Sequence, residues 1–234
     1  LADEFLSRLA PQRLARNAMY PVYGLAEASV AVSFPDPGTP LRSVLLDRHQ
    51  LGVGRAPARL PAGSTDAVAL MSVGRAIPNC ELRLASDADA ALPDCTVGHI
   101  QIRGGNVTRG YFQNPDANAA LYTVDGWLRT GDLGVKLEDH LYVTGRAKEI
   151  IFVNGQNYYP HDLEDIAIRA GGLELGKVVV SGVRRAGAAT DELVVFVLHR
   201  TEVPEFLPIA IEVARVLNEH TGLEIAEVVP VKRI

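Results

Sequence analysis

Apolar positions three and four residues apart open the chain: Leu1, Phe5, Leu6 and Leu9 in "LADEFLSRLAPQRLAR" mark one helical face, which Pro11 breaks or kinks. Period-two alternation takes over later. "AVALMSV" (67–73), "CELRLAS" (80–86) and "HIQIRG" (99–104) read as strands, the last two half-buried, and many short strands between turns indicate a sheet or small barrel. Beyond Gly145 strands alternate with helices. "EIIFV" (149–153), "KVVVSGV" (177–183) and "ELVVFVLH" (192–199) are strands, and "EVVPVKRI" (227–234) is a last one. "PHDLEDIAIRA" (160–170) opens on a first-turn proline with early acids, and 204–222 ends at Gly222, so both are helices. This alternation predicts a separate small α/β unit, with a boundary near Arg146–Glu149. The stretch from Pro35 to about Ser64 has prolines, glycines and arginines but no clear period.

Composition excludes several classes. The 234 residues are 47% hydrophobic and 22% charged, an ordinary globular profile long enough to bury a substantial core. A net charge of −5 with no basic run argues against nucleic acid as a partner. Cys80 and Cys95 have no metal-type spacing and read as reduced thiols, as expected in a cytoplasmic protein. No apolar run is long enough to span a bilayer and no signal peptide is present. The chain begins at Leu1 and ends in "VVPVKRI", which suggests a fragment of a longer protein.

Three glycine-containing turns carry candidate chemistry. In "RTGDLG" Gly131 permits a tight turn from which Asp132 projects, and a fixed carboxylate can accept from two adjacent hydroxyls such as a ribose diol. In "TGRAKEIIFVNG" Arg146 offers a rigid donor fork for phosphate or ribose oxygens, and Lys148 follows where the texture changes. In "VYGLAEAS" Tyr23 presents a ring that can stack on a flat base, Gly24 admits a close backbone approach, and Glu27 can hold magnesium through water. A plain turn, a basic surface turn, and a buried aromatic beside a solvated glutamate explain the same residues when each is taken alone.

Their order adds to this. "YGLAEAS", "GHIQIRGGNVTRGYF" (98–112), "GWLRTGDLG" (126–134) and "YVTGRAKEIIFVNGQNYYPHDLE" (142–164) follow one another as in adenylate-forming enzymes, which the chain resembles over most of residues 20–165. Within that superfamily it is most similar to fatty acyl-AMP ligases: Ala26 stands where most members have Thr, and "NYYPHDLE" resembles that branch's "NHYPQDIE". Val73 lies 46 residues beyond Glu27, and the surplus (about 38–66) resembles the insertion that hampers closure onto CoA in that branch. The resemblance implies a mixed α+β fold: residues 1–147 as a β-rich, distorted barrel-like part of the large domain, and 148–234 as a mobile small α/β domain.

It also implies ATP, Mg2+ and a fatty acid as reactants, with CoA or a phosphopantetheinyl carrier protein as acyl acceptor. Tyr23 and Gly24 fall at adenine-side positions, Asp132 at the ribose, Arg146 at ribose or phosphate, Glu27 at the magnesium-side acid and Lys148 at the hinge. The "VNGQN" loop (153–157) would face the active site in the second of two hinge arrangements. Departures are His99 where "GEL" is common, and Ala26. The family's phosphate loop lies upstream of "YGLAEAS" and its lysine sits in an "SGK"-like turn. Lys232 lacks that context, so the chain alone is expected to be inactive. An acyl-CoA synthetase, an amino-acid-activating domain, and a non-catalytic module binding AMP or an acyl carrier remain alternatives.

Overall fold

Helix α1 (Ala2–Leu9) stops just short of Pro11, and a single 3-10 turn follows. The computed structural model describes residues 2–154, 156–169, 171–185, 188 and 190–234, with side chains from Phe5 onward. Leu1 and Ala170, read from the sequence into the two helices, and Gly155 of the "VNGQN" loop therefore lie outside the described residues. The later elements are β1 (Ser33–Phe34), β2 (Ser43–Asp47), β3 (Ala67–Met71), β4 (Arg75–Ala76), β5 (Cys80–Ala85), β6 (Gly98–Gly104), α2 (Pro115–Leu121), β7 (Leu128–Leu137), β8 (His140–Arg146), β9 (Ile151–Val153), β10 (Gln156–Tyr158), α3 (Pro160–Arg169), β11 (Val178–Val183), β12 (Glu192–Leu198), α4 (Val203–Thr221) and β13 (Ile225–Val231). The mixed α/β class expected from the sequence is the one observed.

Two compact units emerge. The first comprises 1–46, 53–59 and 69–144, the second 47–52, 60–68 and 145–234. In the first, β5, β6, β7 and β8 form one four-stranded sheet, and β1 pairs with β4. Among the described residues these strands do not close into a barrel. Beyond β8, the Val73 N–H donates to the Leu141 carbonyl and the Leu141 N–H to that of Gly74, so that edge is covered by chain leading into β4. The core of this unit gathers Tyr23, Val32, Leu84, Ile100, Ile102, Leu128 and Leu141. Alternation explains it: Ile100 and Ile102 on β6 share a face and are fully buried.

The second unit has a three-stranded sheet in the order β11-β12-β13. β11 and β12 are antiparallel, and β13 returns parallel to β12 after α4. Pro230 is tolerated because β13 is an edge strand. Leu163 and Ala167 of α3 and Phe206, Val213 and Leu217 of α4 cover the sheet's Val178, Val180, Val195 and Val197. The chain before β9 is a 3-10 turn, Ala147–Glu149, so the strand starts two residues later than its apolar run suggests.

Parts of the stretch without a readable period, residues 47–52 and 60–64, belong to the second unit. Arg48, 6% exposed, forms an ion pair with Asp162 in the first turn of α3 and donates to the carbonyls of Thr65 and Ala67 at 3.1 and 3.2 Å. The Tyr159 hydroxyl donates to the Leu51 carbonyl at 2.8 Å, and both residues are buried. Gly145 leaves room for the Tyr159 ring, since a Cβ there would lie 2.5 Å from Tyr159 Cδ1.

Cys80 is buried and Cys95 exposed, both as free thiols. No helix among the described residues is long and apolar enough to cross a membrane.

Candidate functional site

Asp132 owes its position to a bulge. The pairing of β6 with β7 runs His99↔Leu133 and then Gln101↔Arg129, so β7 spends two more residues than β6 over the same interval. Such an interruption bends the strand and redirects the side chain it carries. Gly131 takes φ +81° there, a conformation that favours glycine. Thr130 closes the loop from within. Its hydroxyl donates to the Ile100 carbonyl at 2.8 Å and accepts the Asp132 N–H at 3.1 Å.

The flanks of the bulge are fixed. Arg129 forks onto the Asp89 carboxylate and donates to the carbonyls of Ala120 and Tyr122 at the end of α2. The guanidinium groups of Arg83 and Arg103 both lie over the Trp127 ring, at 4.5 and 4.6 Å from its centre. Arg83 in turn holds Asp125. That pair and the Thr123 hydroxyl lower the Asp125 carboxyl to about 2. Because the folded value is depressed, the stabilisation is complete above the ordinary carboxylate value and is lost as pH falls through about 4 towards 2. Asp125→Asn should therefore flatten the pH dependence of the melting temperature between pH 4 and 2, and an unchanged slope would show that Asp125 is not linked to folding.

Tyr23 meets Asp132 directly. Its hydroxyl donates to Asp132 Oδ2 at 2.6 Å, while its ring, 8% exposed, packs in the core of the first unit. One carboxylate has about four lone-pair sites, and this bond occupies one of them. Gly24 follows Tyr23 where a Cβ would fall 1.9 Å from the Val30 carbonyl oxygen, so glycine here admits the returning chain. That return passes through Ser29 and Val30, both at positive φ, and Asn106 holds it by donating to the carbonyls of Ala28 and Ala31.

Glu27 lies on this turn. Its carboxylate accepts the Tyr111 hydroxyl at 2.5 Å and its carbonyl accepts the Thr108 N–H at 2.7 Å. The bond from Tyr111 holds the Glu27 carboxyl below the usual carboxylate range. Removing it by Tyr111→Phe should move the Glu27 titration to higher pH, read from its side-chain carbon shift by NMR. A coincident titration in the two proteins would rule the bond out. Among the described residues no three His, Cys, Asp or Glu side chains gather as a metal cage. A single ionised carboxylate fits a hydrated divalent cation carried in by phosphates, which needs only one or two protein oxygens.

The structure thus joins Tyr23 to Asp132 and gives Glu27 a partner in Tyr111. Arg146 and Lys148 belong to the second unit. Arg146 ends β8 with an exposed side chain. Lys148, also exposed, lies on the 3-10 turn and lines a cavity of about 340 Å3 with Ile151, Pro160, Glu164 and Ser181. Thr130, Asn106 and Tyr111 were missed by the sequence reading. All three lie inside or beside the quoted motifs, but their partners are distant in sequence.

Residues 2–112 match the AMP-binding enzyme family. The chain is 37% identical to a 4-hydroxyphenylalkanoate adenylyltransferase of Mycobacterium tuberculosis, over 97% of this chain and 38% of the relative. It is 32% identical to the long-chain-fatty-acid–AMP ligase FadD26 of Mycobacterium marinum, over 96% of this chain and 41% of the relative. Among solved structures it superimposes with a TM-score of 0.87 on one from a study of fatty acyl-adenylate ligases from E. coli and L. pneumophila, at 26% identity, covering 99% of this chain and 41% of that one. It spans about two fifths of the length of these relatives.

Proposed function

Because the chain belongs to the AMP-binding enzyme family, we propose that it supplies the ribose-binding and hinge portions of an ATP-dependent ligase that joins a fatty acid to AMP and passes the acyl group to a thiol. The observation that carries this reading is the bulge in β7, which aims a carboxylate already partnered by Tyr23. Asp132 accepts the two ribose hydroxyls and so fixes the nucleotide's orientation, a positioning effect that converts binding into rate. The Tyr23 hydroxyl keeps that carboxylate oriented, and the residue lies on the adenine side of the nucleotide. Gly24 sets the turn that brings Tyr23 and Glu27 onto one short segment.

Glu27 is the residue that would hold magnesium, mostly through water; the ion's chemistry is to neutralise charge on the phosphates when the substrate is bound. Arg146 contributes a permanent positive fork towards ribose or phosphate oxygens. Lys148 is the pivot between residues 1–147 and 148–234, and rotation there exchanges an adenylating for a thiol-accepting arrangement.

The acceptor we assign is a phosphopantetheinyl carrier protein rather than CoA. Residues 47–52 and 60–68 pack as part of the second unit through Arg48 and Leu51. A swing of residues 148–234 must therefore carry this insertion along or break its buried contacts. The similarity to 4-hydroxyphenylalkanoate adenylyltransferases supports a second substrate class, arylalkanoic acids.

The test uses the protein carrying this chain together with the rest of the ligase. Hydroxamate formation from ATP should depend on a fatty acid, and acyl transfer should go to a phosphopantetheinylated carrier and not to CoA. Activity with arylalkanoates alone would replace the fatty acid, equal transfer to CoA would remove the carrier assignment, and no hydroxamate with either acid class would end the ligase reading.

A further inference from the structure

The β9–β10 hairpin is held along its β9 edge. Its register pairs Val153 with Gln156, Phe152 with Asn157 and Ile151 with Tyr158. In such a ladder the residue between two hydrogen-bonded pairs turns its N–H and C=O away from the partner strand. Phe152 is that residue, and its outward groups would form an open edge. They are fully engaged instead. The Phe152 N–H donates to Asp191 Oδ2 at 2.7 Å, and its carbonyl accepts the Asp191 N–H at 2.7 Å and the Thr190 hydroxyl at 3.0 Å. The next outward donor, the Asn154 N–H, goes to the Thr190 hydroxyl at 3.0 Å. Asn154 itself sits at φ +50°. Arg184 donates to the other oxygen of Asp191 at 2.7 Å and lies 6.0 Å from the centre of the Phe152 ring.

Thr190 and Asp191 run directly into β12, the central strand of the three-stranded sheet. Two residues thus substitute for a third strand and splice the hairpin to the most embedded element of the second unit. A loop fastened this way moves with its unit as a rigid piece.

We propose that Thr190 and Asp191 are positioning residues for the acyl-transfer step, holding the hairpin of the "VNGQN" segment at a fixed place on the second unit so that it arrives ordered in the thiol-accepting arrangement. This rests on the ligase reading above. It assigns the clamp a part in the second half-reaction and none in the first, because neither residue belongs to the segments that hold ribose or magnesium.

Thr190→Val removes both hydroxyl bonds at nearly constant volume, and Thr190→Ser restores the hydroxyl. In the ligase carrying this chain, Thr190→Val should leave acyl-adenylate formation unchanged and slow transfer to the carrier roughly tenfold or more, the scale on which misplaced groups cost rate. Thr190→Ser should recover the wild-type transfer rate. Hydrogen exchange of the Asn154 amide should quicken in Thr190→Val alone. Wild-type transfer by Thr190→Val, a proportional fall in both half-reactions, or failure of Thr190→Ser to recover the rate would overturn the proposal. A wild-type protein that makes no acyl-adenylate overturns the ligase reading and this proposal with it, and is distinguished by its silence before any substitution is made.

Discussion

Asp132→Ala is expected to raise the KM for ATP about a hundredfold in the proposed ligase that carries this chain. Hydrogen bonds to a charged acceptor contribute about 1.5–3 kcal/mol each. A ribose diol makes two, so even the lower bound removes about 3 kcal/mol, and each 1.4 kcal/mol is tenfold. The Tyr23 hydroxyl loses its 2.6 Å partner at the same time, on a side chain with little exposure to water. Asp132→Asn is milder, because the amide oxygen still accepts from Tyr23. Steady-state kinetics at varied ATP decides the matter. A change of less than threefold in Asp132→Ala would mean that this carboxylate does not meet the ribose.

Asp162→Ala destabilises the second unit by about 3–5 kcal/mol, the scale on which a buried pair responds to losing one partner. Arg48 then remains buried with a permanent charge and only the carbonyls of Thr65 and Ala67 for company. Its Nε already has no partner. Burial pushes the Asp162 carboxyl upward against the pull of Arg48, so desolvation outweighs attraction at this pair. The pair is thus costly to break without being a strong source of stability. It follows that the double variant Arg48→Met, Asp162→Leu recovers most of the loss, as apolar replacements of buried pairs do. Urea unfolding of the single and double variants followed by far-ultraviolet circular dichroism separates the cases. If Asp162→Ala costs less than 1 kcal/mol, Arg48 finds water and the pair is not buried in solution.

Both predictions rest on residues that were only partly legible in the sequence. Asp132 stood out because Gly131 permits a tight turn from which a carboxylate can project at a strand end, whereas the structure places it inside β7. That the strand bulges there was not readable, because the extra residues count only against β6, some thirty positions away. Tyr23 stood out as an aromatic beside a glycine, whereas its bond to Asp132 joins residues 109 positions apart. The second unit was the easier of the two, since β11, β12 and α4 declare themselves by local period. Its contribution from residues 47–52 and 60–68 was invisible, because Arg48 sits in a stretch with no period and becomes meaningful only when α3 presents Asp162 to it. Thr130, Asn106, Tyr111 and Thr190 share that limitation. Each has a partner thirty or more positions away in sequence, which no spacing rule announces.

Whether the β-rich first part of the chain closes was likewise not readable from local period. Short strands between turns specify a sheet but not its closure. Closure depends on what covers the two outer strands, and here the chain around Val73 and Gly74 bonds to Leu141 of β8.

The most direct test of the central claim is mass-spectrometric detection of acyl-adenylate after mixing the ligase carrying this chain with ATP, magnesium and a long-chain fatty acid. The account predicts an acyl-AMP product from the wild type, reduced at least tenfold at limiting ATP by Asp132→Ala. Its absence from the wild type with every fatty and arylalkanoic acid offered, or equal yield from Asp132→Ala, would contradict it.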